Sequence, residues 1–458
     1  MQTSIIKFSQ LENRIDAEYY KPEYLEIEKF LLHSKNVFTI GEIIKSIQHP
    51  KEFKREYSLS GGVPYLRVSN VKDGYINLSD IEYVYDDRNV GLNKINDGNI
   101  LITRSGTVGI PVLITPEFDG MLISADFIKL VLKEKINNSE INPYFIHVFL
   151  YSKLGLSQSS RKLIGALQKH INIGGLSSIK IPIPSTSFQQ EIKKMVREAE
   201  EKRKSAEKKY KEAEKILNKE LGVENLDLST QKIFEAKFSE IDRLDPEQYQ
   251  PKYKIIINHL LKSGHVLLKD ILKFNQRGIQ PQYIDRETGY KALTSKCIGK
   301  KYIDYDSMSN INEDFYYDFE KAKLKKGDIV IYTTGAYVGN TQAITEEIKA
   351  IASNHVNILQ VNNYDPVFLA FYFNSIPGSM QIKKLVSGAA QAELYPKDIA
   401  KIIVPKISTN IQQKISKLIQ ESFQLRKESK NLINEAKRKV EELIETPRRE
   451  CSARKKGK

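Results

Sequence analysis

Hydrophobic positions recur along this chain in three rhythms. Short stretches rich in Tyr, Ile and Val, such as "YINLSDIEYVY" at 75–85 and "GDIVIYTTG" at 327–335, predict β-strands. Two longer apolar runs, "NPYFIHVFLYSKLG" at 142–155 and "DPVFLAFYFNSIPG" at 365–378, predict helices opened by proline and closed by glycine. The third rhythm is a heptad. Residues 188–221 contain no Gly or Pro, Gly222 offers a stop, and Ile192, Ala199, Ala206 and Ala213 share one line. A second long helix is predicted from Ile411 to about Glu445, stopped by Pro447. Its lines are Ile411, Leu418, Leu425, Leu432 and Ile415, Ser422, Ser429, Ala436, Leu443. Ser187 with Gln190, and Asn410 with Gln413, have the spacing of capping boxes at the two helix starts.

These patterns occur twice. "GNILITRSGTVG" at 98–109 and "GDIVIYTTGAYVG" at 327–339 both read as strand, glycine turn and second strand, with Gly98 and Gly106 lying 229 residues before Gly327 and Gly335. Upstream, "IDAEYYKPEY" at 15–24 meets "LDPEQYQPKY" at 244–253 with the same offset. Downstream, "IKIPIPSTSFQQEIKKMV" from Ile179 resembles "AKIIVPKISTNIQQKISKLI" from Ala400, the paired glutamines now 223 residues apart. Three anchors in one order predict a duplicated α+β (mixed α/β) protein. The expected layout is a first domain over 1–186, a long helix over 187–222, a linker over 223–232, a second domain over 233–408, a long helix over 409–446 and a basic tail over 447–458.

A heptad helix needs a helical partner, and small residues on its line let backbones approach closely. The economical solution is that the two long helices pair with each other. With a globular domain before each, an antiparallel coiled coil carrying one domain at each end is expected. At 1.5 Å per residue the first helix would span about 51 Å, comparable to about 15 base pairs of duplex DNA.

Composition narrows the class of partner. The chain of 458 residues has 40% hydrophobic and 28% charged residues, as in a folded globular protein of two or three domains. Its formal charge of +14 suits nucleic acid, an anionic membrane or plain solubility; no amphipathic membrane helix stands out, which favours nucleic acid. No run approaches the ~20 apolar residues of a membrane span. The start "MQTSIIKFSQ" lacks a signal-peptide core. With Cys297 and Cys451 as the only cysteines, a disulfide framework is not expected, and a cytoplasmic location without membrane contact is.

The glycine-turn strands, the "IPIP…FQQEI" and "IIVP…IQQKI" segments and the "YKPEY"/"QPKY" segments together resemble the specificity subunits of type I restriction-modification systems. The resemblance covers the chain up to its basic tail, and its specific part is the doubled order of domain and helix. It implies two target recognition domains, each reading one half of a bipartite, asymmetric target in double-stranded DNA, with the helices setting the gap. It further implies docking of two DNA adenine methyltransferase subunits, which would carry the S-adenosylmethionine, and of restriction/motor subunits. Such a chain would be non-catalytic and hold no cofactor itself. The alternatives are a coiled-coil scaffold that binds only protein, a recognition subunit of a methylation-only system, and a cryptic methyltransferase or nuclease.

The residues themselves carry no complete catalytic signature. "NPYF" at 142–145 lacks the second proline of an adenine methyltransferase motif and reads as a helix start. "SGTVG" lacks the dinucleotide pattern, and there is no phosphate-loop motif. The scattered histidines and two distant cysteines have no metal-site spacing.

Residue types that read bases are Arg and Lys on guanine, Asn and Gln on adenine, while cations on phosphate supply affinity and register. In the first domain the candidates are Lys51, Lys54, Arg55 and Tyr57 in a basic, aromatic-interleaved loop, then Arg67 and Ser69 after a short strand. Arg104 and Thr107 follow in the glycine turn, with structural placement of the glycines as their alternative role, and Gln168, Lys169 and His170 lie before the long helix. In the second domain they are Gln276, Arg277, Gln280, Gln282 and Tyr283, expected in one loop, with Lys296, Thr334 and Tyr337 secondary. "SGAAQAEL" at 387–394 aligns with "IGALQKHI" at 164–171 and adds Gln391. The two halves differ most between their anchors, where "HPKEFKREYSLSGGVPYLRVSN" faces "NQRGIQPQYIDRETGYKALTSK". A kept scaffold with a varied surface is what a modular reader requires.

Overall fold

A computed structural model describes residues 4–8, 11, 14–32, 34, 36–58, 61–72, 74–78, 81–85, 91–165, 169–241, 245–388 and 392–455, and the side chains of these except 32, 240 and 445–455. The chain forms two compact units. Unit 1 is residues 1–201 with 428–458, and unit 2 is residues 202–427.

In unit 1 a 3-10 turn, Ala17–Tyr20, leads into the helix Pro22–Leu32. Four antiparallel strands follow in the spatial order Ile44–Gln48, Phe127–Leu132, Ile100–Thr103, Pro111–Leu113. A second sheet sets Val63–Leu66 between Glu82–Val84 and Leu122–Ile123, the last pairing parallel. A third pairs Val37–Thr39 with Lys180–Pro182. The run Ile100–Thr103 is buried at every position. Ile100 and Ile102 pack with Phe145 and Phe149 on one face, and Leu101 packs with Ile123 and Phe127 on the other. A strand covered on both faces has no reason to alternate, which explains its continuous apolar sequence.

Unit 2 repeats this frame. Its four strands lie in the order Leu272–Arg277, Val356–Val361, Ile329–Tyr332, Thr341–Ala343. Its second sheet sets Lys291–Leu293 between Ser309–Asn310 and Ala350–Ala352, again with the last pairing parallel. His265–Leu267 pairs with Ile403–Pro405. Ile329 and Ile331 face one core cluster and Val330 the other, as in unit 1. The duplication read from three anchors therefore extends through the sheets between them.

The long helices Thr186–Leu221 and Thr409–Lys455 pair in antiparallel fashion within each unit. In unit 1, Ile192, Val196 and Ala199 share a core with Ile433, Ala436, Val440 and Ile444. The Ser429 hydroxyl donates to the Ala199 carbonyl at 2.7 Å, and Lys439 pairs with Glu191. In unit 2, Tyr210, Ala213 and Leu217 share a core with Ile415, Leu418 and Ile419. There the Ser422 hydroxyl donates to the Ala206 carbonyl at 2.8 Å, and Lys209 pairs with Glu421 at 2.7 Å. The predicted alanine line and the line through Ile415, Ser422, Ser429 and Ala436 are buried; Leu443 is 38% exposed.

Three local expectations are corrected. The first is the capping. The first long helix begins at Thr186, with the Ser185 hydroxyl accepting from the Phe188 amide at 3.5 Å; Ser187 is already helical and Gln190 reaches the Glu140 carboxylate instead. The second begins at Thr409, with the Ile411 and Gln412 amides directed at the Ser408 carbonyl, so Asn410 lies inside the helix. What the glutamines do is different. Buried Gln189 accepts from the Asn142 amide at 2.9 Å and donates to the Pro184 carbonyl at 3.1 Å. Gln412, 223 residues on, accepts from the Asp365 amide at 3.1 Å and donates to the Ile407 carbonyl at 2.9 Å. Asn142 and Asp365 are the N-caps of the helices Pro143–Tyr151 and Pro366–Asn374, so each glutamine pins a long helix to a core helix.

The second correction concerns the second long helix, which continues past Pro447 to Lys455 instead of giving way to a separate tail. Proline removes one amide donor but its own φ is helical, so a helix can pass through it. The third concerns the glycines of the core helices. Ser152 and Ser375, not glycine, end the first helices and cap the next, Lys153–Arg161 and Ile376–Leu385. Gly155 and Gly378 lie inside those second helices, where a Cβ would drive into the backbone of Phe149 and Leu150, or of Tyr372 and Phe373. Gly378→Ala should therefore cost about 3 kcal/mol, the upper range for overpacking, read as a lowered urea midpoint; an unchanged midpoint would show that the corner can open.

Candidate nucleic-acid interface

In unit 2 the strand Ile329–Tyr332 runs into the glycine turn 333–339, closed by the Gly339 amide on the Tyr332 carbonyl at 2.8 Å. Gly335 and Gly339 both have positive φ, which the turn requires. Ser387 and residues 392–394 lie against this turn. Ser387 and Glu393 exchange backbone hydrogen bonds of 2.8 and 2.7 Å, the Leu394 amide donates to the Thr333 carbonyl at 2.9 Å and the Gly335 amide to the Ala392 carbonyl at 3.0 Å. Thr334 therefore sits at the junction, and Tyr337 is 65% exposed in the same turn. Gln391 falls outside the described residues.

Arg277 reaches the junction from the sheet. Its guanidinium donates to Glu393 Oε1 at 2.7 Å and to the Leu394 carbonyl at 2.8 Å, and lies 5.0 Å from the centre of the Tyr395 ring. The Tyr395 hydroxyl donates to Glu393 Oε2 at 2.6 Å. Tyr395 and then Arg277 hold the Glu393 carboxyl below its usual range. Arg277 thus fastens the loop to the strand, and Gln276 beside it is exposed. Both residues belong to the strand Leu272–Arg277, not to a loop as expected. Gln280, Gln282 and Tyr283 follow, all exposed, on a segment tied down by backbone bridges Ile279 to Ser353 and Tyr283 to Ile311. Lys296 is exposed in the 3-10 turn Ser295–Cys297.

Unit 1 carries a glycine turn and an exchanged backbone pair at the matching places in its sequence, with different chemistry. The Gly109 amide closes the glycine turn on the Thr103 carbonyl at 2.8 Å, and the Ser105 hydroxyl donates to Asp126 Oδ1 at 2.8 Å. Arg104 is half-buried and Thr107 exposed in that turn. Ile164 and His170 exchange backbone bonds of 2.9 Å, as Ser387 and Glu393 do 223 residues later. Lys169 is exposed and 3.5 Å from Glu18, and Gln168 lies outside the described residues.

The basic loop of unit 1 is held from below. The Asn93 side chain accepts from the Lys51 amide and donates to the Lys51 and Ile123 carbonyls, the last two at 2.9 Å. Buried Lys129 donates to the Leu92 and Lys94 carbonyls at 2.8 and 2.7 Å, and burial pulls its pKa down. Lys51, Lys54, Arg55 and Tyr57 are exposed on this support, with Arg55 3.9 Å from Glu52. Arg67 is engaged by Glu82 at 2.8 Å, while Ser69 is exposed. Sequence reasoning missed Asn93, Lys129, Glu393 and Tyr395. A lysine inside the apolar strand "FIKLVL", and an acid in the loop opposite Arg277, were the available signals.

Among the described residues no group of His, Cys, Asp or Glu could hold a metal ion, and no helix is long and apolar enough to cross a membrane. A family model described as the type I restriction modification DNA specificity domain matches residues 33–215 and 262–438. The type I restriction enzyme MjaVIII specificity subunit of Methanocaldococcus jannaschii is 24% identical over 430 residues, 90% of this chain and 92% of that protein. The EcoBI specificity subunit of Escherichia coli is 24% identical over 145 residues, 31% of this chain and 29% of the relative. A crystal structure of a type I restriction-modification S subunit from M. genitalium aligns over 89% of this chain and 94% of its own, at 15% identity and a TM-score of 0.43.

Proposed function

The chain belongs to the type I restriction modification DNA specificity family, and from that premise we propose that it is the non-catalytic sequence-reading subunit of such a complex. Domains over 1–186 and 233–408 each read one half of a bipartite, asymmetric DNA target. The observation that carries this reading is one frame built twice with unlike residues at matched positions. Half-buried Arg104 stands where unit 2 has Thr333, and half-buried His170 where it has Glu393. A duplicated frame with identical surfaces would favour an inverted repeat, whereas diverged surfaces suit two different half-sites.

Exposed Gln276, Gln280 and Gln282 in unit 2 suit base edges, and exposed Lys51, Lys54 and Arg55 in unit 1 suit phosphates or guanine. Arg67 and Arg277, each already paired with a carboxylate, act by shaping their loops unless DNA displaces that partner. In this reading methyl transfer from S-adenosylmethionine belongs to two docked adenine methyltransferase subunits in the cytoplasm, and cleavage to restriction/motor subunits. The test is methylation mapping with the methyltransferase subunit of its own system. Replacing residues 233–408 by another such domain should change one half-site and leave the other intact; a change in both halves, or methyl transfer by the lone chain, would refute it.

A further inference from the structure

A short segment is repeated ahead of each unit's proline-led helix. Lys7, Phe8, Ser9, Gln10 and Leu11 are matched by Lys237, Phe238, Ser239, Glu240 and Ile241. The described residues of the two copies fold alike. The Leu11 amide donates to the Phe8 carbonyl at 3.1 Å, and the Ile241 amide to the Phe238 carbonyl at 3.1 Å. Phe8 is 90% and Phe238 89% exposed. Ile5 and Ile15 are exposed beside the first copy, and Ile233 beside the second.

A single exposed phenylalanine would call for no explanation. Two copies of one exposed pattern do, because the surfaces between them have diverged. Packing cannot account for the agreement, since each unit leaves the ring in water. Base reading cannot either, since it would demand different residues in the two copies. What two equal apolar points share is an equal partner, present twice.

We infer that the segments around Phe8 and Phe238 are two equivalent docking points, each inserting its phenylalanine into an apolar pocket of one methyltransferase subunit. This rests on the proposed function and deepens it by naming where the two copies attach. A nucleic acid offers no such pocket in its phosphate backbone. A second copy of this chain is the competing occupant.

The test is the stoichiometry of the full chain with the methyltransferase subunit of its own system, by native mass spectrometry and sedimentation. The wild-type chain should carry two subunits. Phe8→Ser and Phe238→Ser should each weaken one of the two binding steps by about tenfold to a hundredfold, the worth of burying one phenylalanine. The double variant should weaken both. Both rings are exposed, so circular dichroism melting should match the wild type. Single variants that keep both steps at wild-type affinity overturn the inference alone, as does a wild-type chain whose self-association the variants abolish. A wild-type chain that carries no methyltransferase removes the proposed function together with it.

Discussion

Ala206→Leu should destabilise unit 2 by about 3 kcal/mol or more, the sum of overpacking a closed seam and stranding a buried hydroxyl. Ala206 is fully buried on the first long helix, and the Ser422 hydroxyl, also fully buried, donates to its carbonyl at 2.8 Å. A side chain from one helix can reach the backbone of the other only where the two axes run close. Leucine cannot fit that gap without pushing the helices apart, and the move leaves Ser422 without its acceptor. Unit 1 carries the counterpart between Ser429 and Ala199, and the pairs exchange under the repeat: Ser422 lies 223 residues after Ala199, and Ser429 lies 223 after Ala206. Ala199→Leu should therefore behave alike in unit 1. Urea unfolding followed by circular dichroism checks both; wild-type midpoints would mean that the seam is not closely packed.

The second large effect is electrostatic and shows on acidification. Glu207 is half-buried and accepts from Lys301 Nζ at 2.7 Å and from Arg426 Nη2 at 2.8 Å. The two cations lie over aromatic rings, Lys301 5.2 Å from the centre of Tyr210 and Arg426 5.7 Å from that of Tyr302. Burial by itself would raise the Glu207 pKa, but Lys301 first and then Arg426 outweigh it and hold the carboxyl below its ordinary 4.5. A carboxylate depressed in the folded state contributes stability that is complete above its unfolded pKa and disappears as pH falls through the folded value. Glu207→Gln should thus cost about 1–2 kcal/mol at pH 7, intermediate between exposed and buried pairs. The gap between variant and wild type should close progressively below pH 4.5. A gap of constant size from pH 7 to pH 3 would assign the loss to packing instead of charge.

Much of the architecture was legible because its signals are local. The strands around the glycine turns announced themselves by composition and by the glycines their positive φ requires. The alanine line marks a close helix seam, since small residues at heptad spacing have few other uses. The paired glutamines marked the repeat, although their work in pinning the long helices to Asn142 and Asp365 was hidden by a separation of 47 residues in each unit. The glycines at 155 and 378 looked like helix stops because their actual role, letting one helix turn back on the end of another, depends on a contact between backbones.

The candidate interface divided along the same line. Residue type placed Arg277 among base readers, yet Glu393, 116 residues later, takes its guanidinium. Arg67 is likewise held by Glu82, and a lysine in an apolar strand proved to be a support for the loop above it. The duplication, the helical seam and the mixed strand-and-helix frame were determined by the sequence itself, because repetition and periodicity are properties of neighbours in the chain. Which polar side chains face outward and which are consumed in holding loops was decided only by the tertiary structure. A charged group's partner is chosen by distance in space, and nothing in the order of residues encodes that distance directly.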